Sequence, residues 1–279
     1  MPRILAISSF VAYGHVGLSA IVPALQALGH DVIAVPTVVL SSHYGYREVG
    51  GFDVDAGQLG GLIHGLTANG WLQSVDAVMT GFIPSGEMAL GIARVLERLA
   101  QERPEVLYLC DPVIGDDPGG IYVRDEVATA IRDNLVPLAD VLTPNRFELE
   151  WLTGIGVDSA IEADAAADET GAELVAVTSV PAGDGIIANL MSDSREALLY
   201  GGVLRERVPN GTGDLFAALL AGHLLDGAAH AEAVARASAG VEAVIVASLE
   251  ASELRLVECL ARLARAEPLQ HIAVIRAAT

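Results

Sequence analysis

The sequence predicts an α/β protein with a mostly parallel central β-sheet and antiparallel edge strands. Up to residue 178, short apolar runs alternate with segments of helical periodicity, which is typical of βαβ units. Beyond that residue the strand-like runs are separated only by short turns, which favours antiparallel pairing. The composition, 52% hydrophobic and 19% charged, is typical of a globular enzyme with a buried sheet.

The parallel strands are predicted from apolar runs, and the helices from the segments between them. The runs cover residues 4–7, 32–35, 77–79, 106–109, 141–142 and 174–177. The helical segments cover residues 18–28, 55–68, 87–101, 124–134 and 162–170. Because a parallel pair needs a long crossover between its strands, this alternation predicts a parallel sheet covered by helices.

The rest of the chain is predicted to supply antiparallel strands and then a helical C-terminal part. Strands are predicted at 186–190, 197–200 and 203–208, separated by turns such as Ser192-Asp193 and Gly201-Gly202. Ala, Leu and Val then recur at helical spacing over 214–225, 229–247 and 252–264. No repeat, low-complexity segment or interdomain linker interrupts the sequence, so residues 1–279 are predicted to form one domain.

The charge balance restricts the partners of this protein. Thirty-six acidic residues against sixteen basic ones give a net charge of −20, which repels nucleic acid and anionic membranes. All sixteen basic residues are Arg, so the chain has no Lys to bind a phosphate or to form a Schiff base. Any anionic substrate must therefore be bound by local groups.

The cellular location and the state of the cysteines are predicted from what the sequence lacks. No run of about 18 apolar residues is present to span a membrane. The N-terminus leads directly into a strand-like run rather than a secretion signal, so we expect a cytoplasmic protein. Cys110 and Cys259 lack Cys-x-x-Cys spacing, so we expect reduced core residues rather than a disulfide or a zinc site.

The most informative segment runs from Val208 to Ala218 and combines a strand end, a glycine turn and a helix start. Its glycines permit backbone conformations closed to other residues, so the amides of residues 211–213 can converge on one anion beside a positive helix end. Asp214, in the first helical turn, can then accept the proton of an attacking hydroxyl during phosphoryl transfer. The alternative is structural: Asp214 caps the helix, and the glycines only turn the chain.

The segment Asn210-Gly211-Thr212-Gly213-Asp214, which opens an Ala-rich helix, resembles the C-terminal signature of the ribokinase superfamily. Further motifs resemble pyridoxal kinases, and the likeness extends from Ser8 to about Val257. These motifs are Ser8-Ser9 with Val11 to Gly17, Ser41 to Tyr46, Cys110 to Asp116, Tyr122-Val123, Thr143 to Glu148, and Glu253 to Val257. The resemblance implies a ribokinase-like three-layer α/β/α fold and ATP-dependent phosphorylation of the 5′-hydroxyl of pyridoxal or a related B6 vitamer.

The resemblance also implies a role for each matching residue. Asp214 would act as the base, while the amides of Gly211, Thr212 and Gly213 would stabilise the transferring phosphoryl group. The implied substrate-binding residues are Ser9, Val16, Val38, His43, Tyr44, Phe82 and Asp214. The implied nucleotide-binding residues are Asp111, Tyr122, Thr143, Asn145, Glu148, Thr178, Ser179, Thr212 and Gly213. The implied metal-binding residues are Asp111, Asp116 and Glu148.

The implied cofactors are ATP and Mg²⁺, with a monovalent cation such as K⁺ as a further candidate. Mg²⁺ prefers a few carboxylates together with water and phosphate oxygens, which agrees with that carboxylate set. The residues alone, however, favour a turn position for Asp116 and a first-turn helix position for Glu148. The family also implies a homodimer, with neither nucleic acid nor a membrane as partner.

Three residues depart from the family pattern on the pyridoxal side. Tyr44 stands where a small Thr is usual, Phe82 replaces a usual Tyr, and Leu18 stands where Asn commonly follows the glycine. The exchange of Thr for Tyr44 fills space and moves a polar group, and the exchange of Tyr for Phe82 removes a hydrogen-bond donor and acceptor, so we expect altered recognition of the ring. We hypothesise that the Tyr44 hydroxyl contacts the ring atom that the Tyr hydroxyl missing at Phe82 would contact. An unchanged pyridoxal affinity in Tyr44→Phe would refute this hypothesis.

Three other functions compete with the kinase. A non-catalytic B6-vitamer carrier would not need Asp214 and its glycine turn. A hydroxymethylpyrimidine kinase is a second alternative, although related pyrimidine kinases usually have Cys where this chain has Asp214. A nicotinamide-dependent oxidoreductase would need Gly-x-Gly-x-x-Gly after the first strand, where this chain offers only Gly14 and Gly17.

Overall fold

The structure, a computed structural model, describes residues 1–183 and 185–277. The strands are β1 (Arg3–Val11), β2 (Asp31–Leu40), β3 (Gly51–Asp53), β4 (Ala77–Thr80), β5 (Leu107–Cys110), β6 (Gly115–Asp116), β7 (Gly120–Ile121), β8 (Val141–Leu142), β9 (Leu174–Pro181), β10 (Ile186–Asp193), β11 (Ala197–Val203) and β12 (Ala273–Arg276). Ten of them form one sheet in the order β12-β11-β10-β9-β8-β5-β4-β1-β2-β3, while β6 and β7 form a short hairpin.

The sheet is parallel in its middle and antiparallel at both edges. From β2 through β1, β4, β5 and β8 to β9, every neighbouring pair is parallel. At one edge β3 pairs antiparallel with β2, and at the other β10, β11 and β12 continue antiparallel from β9. The predicted fold class, a mostly parallel sheet with antiparallel edge strands, is therefore confirmed.

Helices cover both faces of this sheet. They are α1 (Leu18–Ala27), α2 (Ala56–Ala68), α3 (Gly86–Glu102), α4 (Asp125–Asn134), α5 (Arg146–Thr153), α6 (Ala160–Asp168), α7 (Thr212–Leu225), α8 (His230–Ala247) and α9 (Leu256–Leu263). Successive residues of a strand point to opposite faces, so Leu5 and Ile7 join one core while Ile4 and Ala6 join the other. The first core contains side chains from α2 to α6 and the second from α1 and α7 to α9, which gives three layers.

Two predicted elements need correction. The strand predicted at 203–208 is wrong, because Gly201 and Gly202 continue β11 as far as Val203 and residues 204–208 are not in a strand. Glycine provides close packing there, since a Cβ on Gly201 would lie 2.6 Å from Ile272 Cδ1. The helix predicted at 252–264 begins only at Leu256, because the Arg255 amide donates to Ser248 Oγ instead of continuing a helical turn.

Helix α5 and several short strands were not predicted. The start of α5 is a capping box, in which the Asn145 side chain accepts from the Glu148 amide and the Glu148 carboxylate accepts from the Asn145 amide. The Asn-x-x-Glu spacing is the signal that would have revealed this helix. Both cysteines are free and buried, as predicted. Within the described ranges, no helix combines the length and apolarity needed to cross a membrane.

Candidate active site

Polar residues at the ends of the parallel strands collect beside the start of α7. Ser9 lies near the end of β1, Asp111 directly follows β5, and Thr143 directly follows β8. Parallel strands point the same way, so the residues that follow them meet at a single edge of the sheet. Asn145 and Thr178 extend this edge, since they form an isolated parallel bridge beyond β8 and β9.

The glycine turn before α7, residues 211–213, can only be built with glycine at its first position. Gly211 has a φ of +99°, and a Cβ there would lie 1.9 Å from the His15 carbonyl oxygen. The helix that follows is 14 residues long and buried along most of its length. Its first amides have no partner within the helix and carry the positive end of the helix dipole. The 211–213 turn is therefore suited to bind an anion.

Asp214 lies in the first turn of α7 and faces the end of β4. A Cβ on Gly81 would lie 3.8 Å from Asp214 Oδ1. Burial raises the pKa of Asp214 to about 6, although a hydrogen bond from the Gly17 amide partly opposes this rise. A carboxylate with a pKa close to neutral is largely ionised at pH 7 and still basic enough to accept a proton during a reaction.

A cavity of about 400 Å³ lies in front of Asp214 and is covered by the connection between β2 and β3, residues 41–50, which we call the flap. The flap cavity contains every residue predicted to bind the substrate: Ser9, Val16, Val38, His43, Tyr44, Phe82 and Asp214. The walls also include residues that were not predicted to bind the substrate: Val11, Leu40, Gly45, Val113, Asp116, Tyr122, Asn210 and Gly211. The predominance of apolar walls fits a small ring-shaped ligand.

A second cavity, of about 220 Å³, lies between the antiparallel strands and α8, and we call it the α8 cavity. It contains four of the predicted nucleotide-binding residues, Thr178, Ser179, Thr212 and Gly213. Arg205 and Glu242 also line it and form a bidentate ion pair with N–O distances of 2.9 and 2.5 Å. Neither of these two was predicted, since no motif marks them.

The 211–213 turn separates the two cavities. Gly211 and Asp214 line the flap cavity, whereas Thr212 and Gly213 line the α8 cavity. A group bound by the amides of this turn is therefore accessible to a ligand in either cavity. The carboxylate of Asp214 lies on the flap-cavity side, where it can reach a hydroxyl of a ligand bound there.

Two buried carboxylates lie behind the turn. Glu148 is 3% exposed, and its carboxylate accepts hydrogen bonds from the amides of Ile114 at 2.7 Å and Asn145 at 2.9 Å. Burial raises the pKa of Glu148 to about 7 against the effect of these amides. Burial also raises the pKa of Asp111 well above its usual range, and the nearby carboxylates of Glu148 and Asp214 raise it further.

Asp116 completes this cluster of carboxylates, and Tyr122 lies beside it. Both line the flap cavity, and the pKa of Tyr122 is raised by burial and by the charges of Glu148, Asp111 and Asp116. Within the described residues, neither Arg nor His forms an ion pair with Asp111, Asp116 or Glu148, and no three His, Cys, Asp or Glu side chains chelate a metal by themselves. Carboxylates without a cationic partner fit a divalent cation whose remaining ligands are water and phosphate oxygens.

The three departures from the family pattern lie in different places. Tyr44 is 63% exposed on the flap, and its ring centroid is 6.4 Å from that of Phe82. Both rings therefore belong to the same wall of the flap cavity. Leu18, by contrast, is 3% exposed at the start of α1 and belongs to the apolar core. Its replacement of a polar residue affects packing rather than the cavity lining.

Each cavity has one wall residue in a strained backbone conformation. Val113, in the flap cavity, has a φ of +42°, and Ser179, in the α8 cavity, has a φ of +62°. This region is unfavourable for residues other than glycine, most of all for a β-branched residue, and such strain is concentrated at functional sites. Val113 was not predicted, because an apolar residue after a strand has no distinguishing sequence signal.

Comparisons with known proteins agree with this geometry. The family model for Phosphomethylpyrimidine kinase matches residues 67–256. A pyridoxal kinase PdxY of Corynebacterium diphtheriae is 38% identical over 266 residues, covering 92% of this chain and 93% of its own length. A pyridoxal kinase PdxY of Rubrobacter xylanophilus is 41% identical, covering 91% of each chain.

Two solved structures that resemble this chain are also pyridoxal kinases. The pyridoxal kinase of Entamoeba histolytica superposes with a TM-score of 0.91 at 28% identity, covering 98% of this chain and 100% of its own. The pyridoxal kinase of Leishmania donovani in complex with ADP and pyridoxine superposes with a TM-score of 0.90 at 30% identity, covering 96% and 97%. The fold, the paired cavities and these relatives together show that the chain belongs to the pyridoxal kinase family, whose ribokinase-like architecture it shares.

Proposed function

We propose that this chain transfers the γ-phosphoryl group of ATP to the 5′-hydroxyl of pyridoxal or a related B6 vitamer. The observation that carries the proposal is the single turn, residues 211–213, that separates two cavities and presents Asp214 to one of them. The vitamer occupies the flap cavity and the nucleotide the α8 cavity. The Leishmania donovani relative has been solved with ADP and pyridoxine and with ADP and pyridoxamine, which supports this pairing of ligands.

In the proposed reaction Asp214 accepts the proton of the vitamer hydroxyl. The hydroxyl oxygen forms a bond to the γ-phosphorus, while the bond between that phosphorus and the β,γ-bridging oxygen breaks and releases ADP. The amides of Gly211, Thr212 and Gly213 stabilise the negative charge of the transferring group, which removes the need for a lysine. Ser9, Val16, Val38 and His43 hold the vitamer ring, with Tyr44 and Phe82 in the same wall.

Mg²⁺ is proposed as the metal, held by Asp111, Asp116 and Glu148 largely through water. When bound, the ion would neutralise phosphate charge and offset the repulsion among these carboxylates. Thr143, Asn145 and Tyr122 belong to the same neighbourhood and are proposed to orient the phosphates. K⁺ as a further cation, a homodimer and a cytoplasmic location remain predictions from the family resemblance.

A hydroxymethylpyrimidine kinase is the second candidate, because the matching family model describes phosphomethylpyrimidine kinases. Asp214 argues against it, since the chain resembles pyridoxal kinases and not pyrimidine kinases at that position. A carrier without turnover would have no use for a buried carboxylate whose pKa is raised to about 6.

The test is an assay of purified protein with ATP, Mg²⁺ and pyridoxal, pyridoxine, pyridoxamine or hydroxymethylpyrimidine in turn. We expect a vitamer 5′-phosphate and ADP in equal amounts. Asp214→Asn should lower kcat by about 100-fold or more without loss of folding, because the proton acceptor is removed. Binding of pyridoxal without any phosphorylated product would favour the carrier, and preferential turnover of the pyrimidine would favour the second candidate.

A further inference from the structure

We infer that Glu253 is a positioning residue that fastens the flap over the flap cavity through His43 and Tyr46. The inference deepens the proposed function, since it takes the flap cavity as the vitamer site. Glu253 lies outside that cavity, in the loop between α8 and α9. Its effect on the substrate would therefore be indirect, through the flap residues that form the cavity wall.

The contact consists of two donors on one carboxylate oxygen. Tyr46 OH donates to Glu253 Oε1 at 2.6 Å, and His43 Nε2 lies 3.2 Å from the same oxygen. The His43 and Glu253 side chains are only 16% and 12% exposed. Hydrogen bonds to a charged acceptor are stronger than neutral ones, and shielding from water preserves that strength. The flap is thus held to a segment far away in the chain.

The surroundings of His43 decide which ring nitrogen carries its proton. The amide of Gly45 donates to His43 Nδ1 at 3.1 Å, and a backbone N–H can only donate. Nδ1 is therefore the acceptor, so the proton lies on Nε2 and is donated to Glu253. Both nitrogens are then occupied by protein groups, and His43 offers the cavity its ring surface rather than an acid or a base.

The loop that carries Glu253 is itself fixed to the catalytic turn. Leu254 is 1% exposed, and its Cδ1 lies 3.3 Å from the position of a Cβ on Gly211. The Arg255 amide donates to Ser248 Oγ at the end of α8. The flap is therefore fastened to a rigid support that also positions the 211–213 turn, so flap closure and phosphate binding share one anchor.

Two further features indicate that the carboxylate has a functional role. Glu253 Oε2 is buried without a hydrogen-bond partner in the described part of the chain, which is costly for a carboxylate. Gly14 has a φ of +97°, and a Cβ there would lie 2.3 Å from that oxygen, so the backbone leaves room for this side chain. A buried polar atom without a partner is uncommon in natural proteins, and a role in holding the flap explains why Glu253 is placed here.

The test compares Glu253→Ala with Glu253→Gln. Alanine removes both hydrogen bonds, so the KM for pyridoxal should rise roughly 10- to 100-fold while the KM for ATP changes less than about twofold. A loosened flap should also admit water, which would appear as ADP formed in excess of vitamer phosphate. Glutamine keeps one oxygen for both donors and should restore most of the affinity. Glu250→Ala, an exposed carboxylate of the same loop, is the matched control and should behave as wild type.

Two readouts do not depend on activity and separate this inference from the proposed function. Amide exchange across residues 41–50 should be faster in Glu253→Ala than in wild type, and ¹⁵N spectra of wild type should show His43 protonated on Nε2. A wild-type protein that phosphorylates no vitamer would refute the proposed function. These two readouts would still test whether Glu253 holds the flap through His43 and Tyr46. The positioning role of Glu253 would be overturned if Glu253→Ala changed neither amide exchange nor the KM for pyridoxal. It would also be overturned if Glu253→Gln were as impaired as Glu253→Ala.

Discussion

Asp214 is the residue on which the pH dependence of the reaction should depend. Its pKa is raised to about 6 by burial, and it must be ionised to accept a proton. We therefore expect kcat/KM for pyridoxal to be steady above that pH and to fall about tenfold per pH unit well below it. The measurement is a pH–rate profile at saturating ATP and Mg²⁺.

Asp214→Asn serves as the control for this profile, because pyridoxal itself titrates. Its residual rate should lack the limb that belongs to the carboxylate, and a limb that persists unchanged would assign the titration to another group.

The effect of pH on folding stability through Asp214 has the opposite sign to its effect on the rate. A carboxyl group with a raised pKa favours the folded state in its protonated form, and this contribution is lost as the pH rises through about 6. The variant should therefore fold at least as well as wild type at pH 8.

Among single residues, the sequence revealed the site residues whose side chains have distinctive chemistry. It did not reveal those whose role depends on where the fold places them. Ser9, His43 and Asp214 belong to motifs, and the structure brings all three to the wall of the flap cavity. Val113 and Glu253 lie in segments that resemble the family, but the sequence indicated no role for either residue. Their roles depend on a backbone conformation and on a contact between distant segments, which no local pattern records.

At the scale of the element, the start of α7 depends on Gly211. An alanine there must adopt a φ of +99° and place its Cβ 1.9 Å from the His15 carbonyl oxygen. We expect Gly211→Ala to lower the free energy of unfolding by about 1–3 kcal/mol and to reduce kcat, because the turn must shift to relieve the contact. Thermal or urea unfolding, together with the kinase assay, measures both effects.

Gly60→Ala is the matched control for that substitution. Gly60 lies on α2 with no atom within 4 Å of an added Cβ. Alanine has a higher helix propensity, so stability should be unchanged or increased by up to about 1 kcal/mol, with normal activity. Equal stability losses in the two variants would mean that backbone conformation at Gly211 is not the cause.

The order of the elements could be predicted from the sequence because helices and buried strands have different hydrophobic periods. Strands β3 and β6, of three and two residues, are too short to show a period, whereas the equally short β8 was predicted from its apolar run. The strand wrongly predicted at 203–208 came from treating Gly201-Gly202 as a turn, whereas both residues continue strand β11 and Gly201 packs against the Ile272 side chain. Packing of this kind depends on residues far away in the chain.

At the scale of the whole molecule, a protein with a net charge of −20 must bind a polyanionic nucleotide. Long-range attraction is absent and no Lys is available, so we expect the binding energy to come from oriented amides and from the proposed Mg²⁺. Arg205 is the cationic residue among those that line the α8 cavity, and Glu242 neutralises it. Because the net charge provides no attraction, nucleotide binding depends more strongly on the amides of the 211–213 turn.

The placement of that turn between two cavities has a stereochemical consequence. In the proposed function, donor and acceptor approach the phosphorus from opposite sides of this turn, and its main-chain amides bind the transferring group without attacking it. A single in-line displacement should therefore invert the configuration of a chiral γ-phosphoryl group. Initial-rate plots should intersect, as required when both substrates are bound before the reaction. Retention of configuration would reveal two successive displacements, with a side chain such as Thr212 or Asp214 as the intermediate nucleophile, and would contradict the proposed direct transfer.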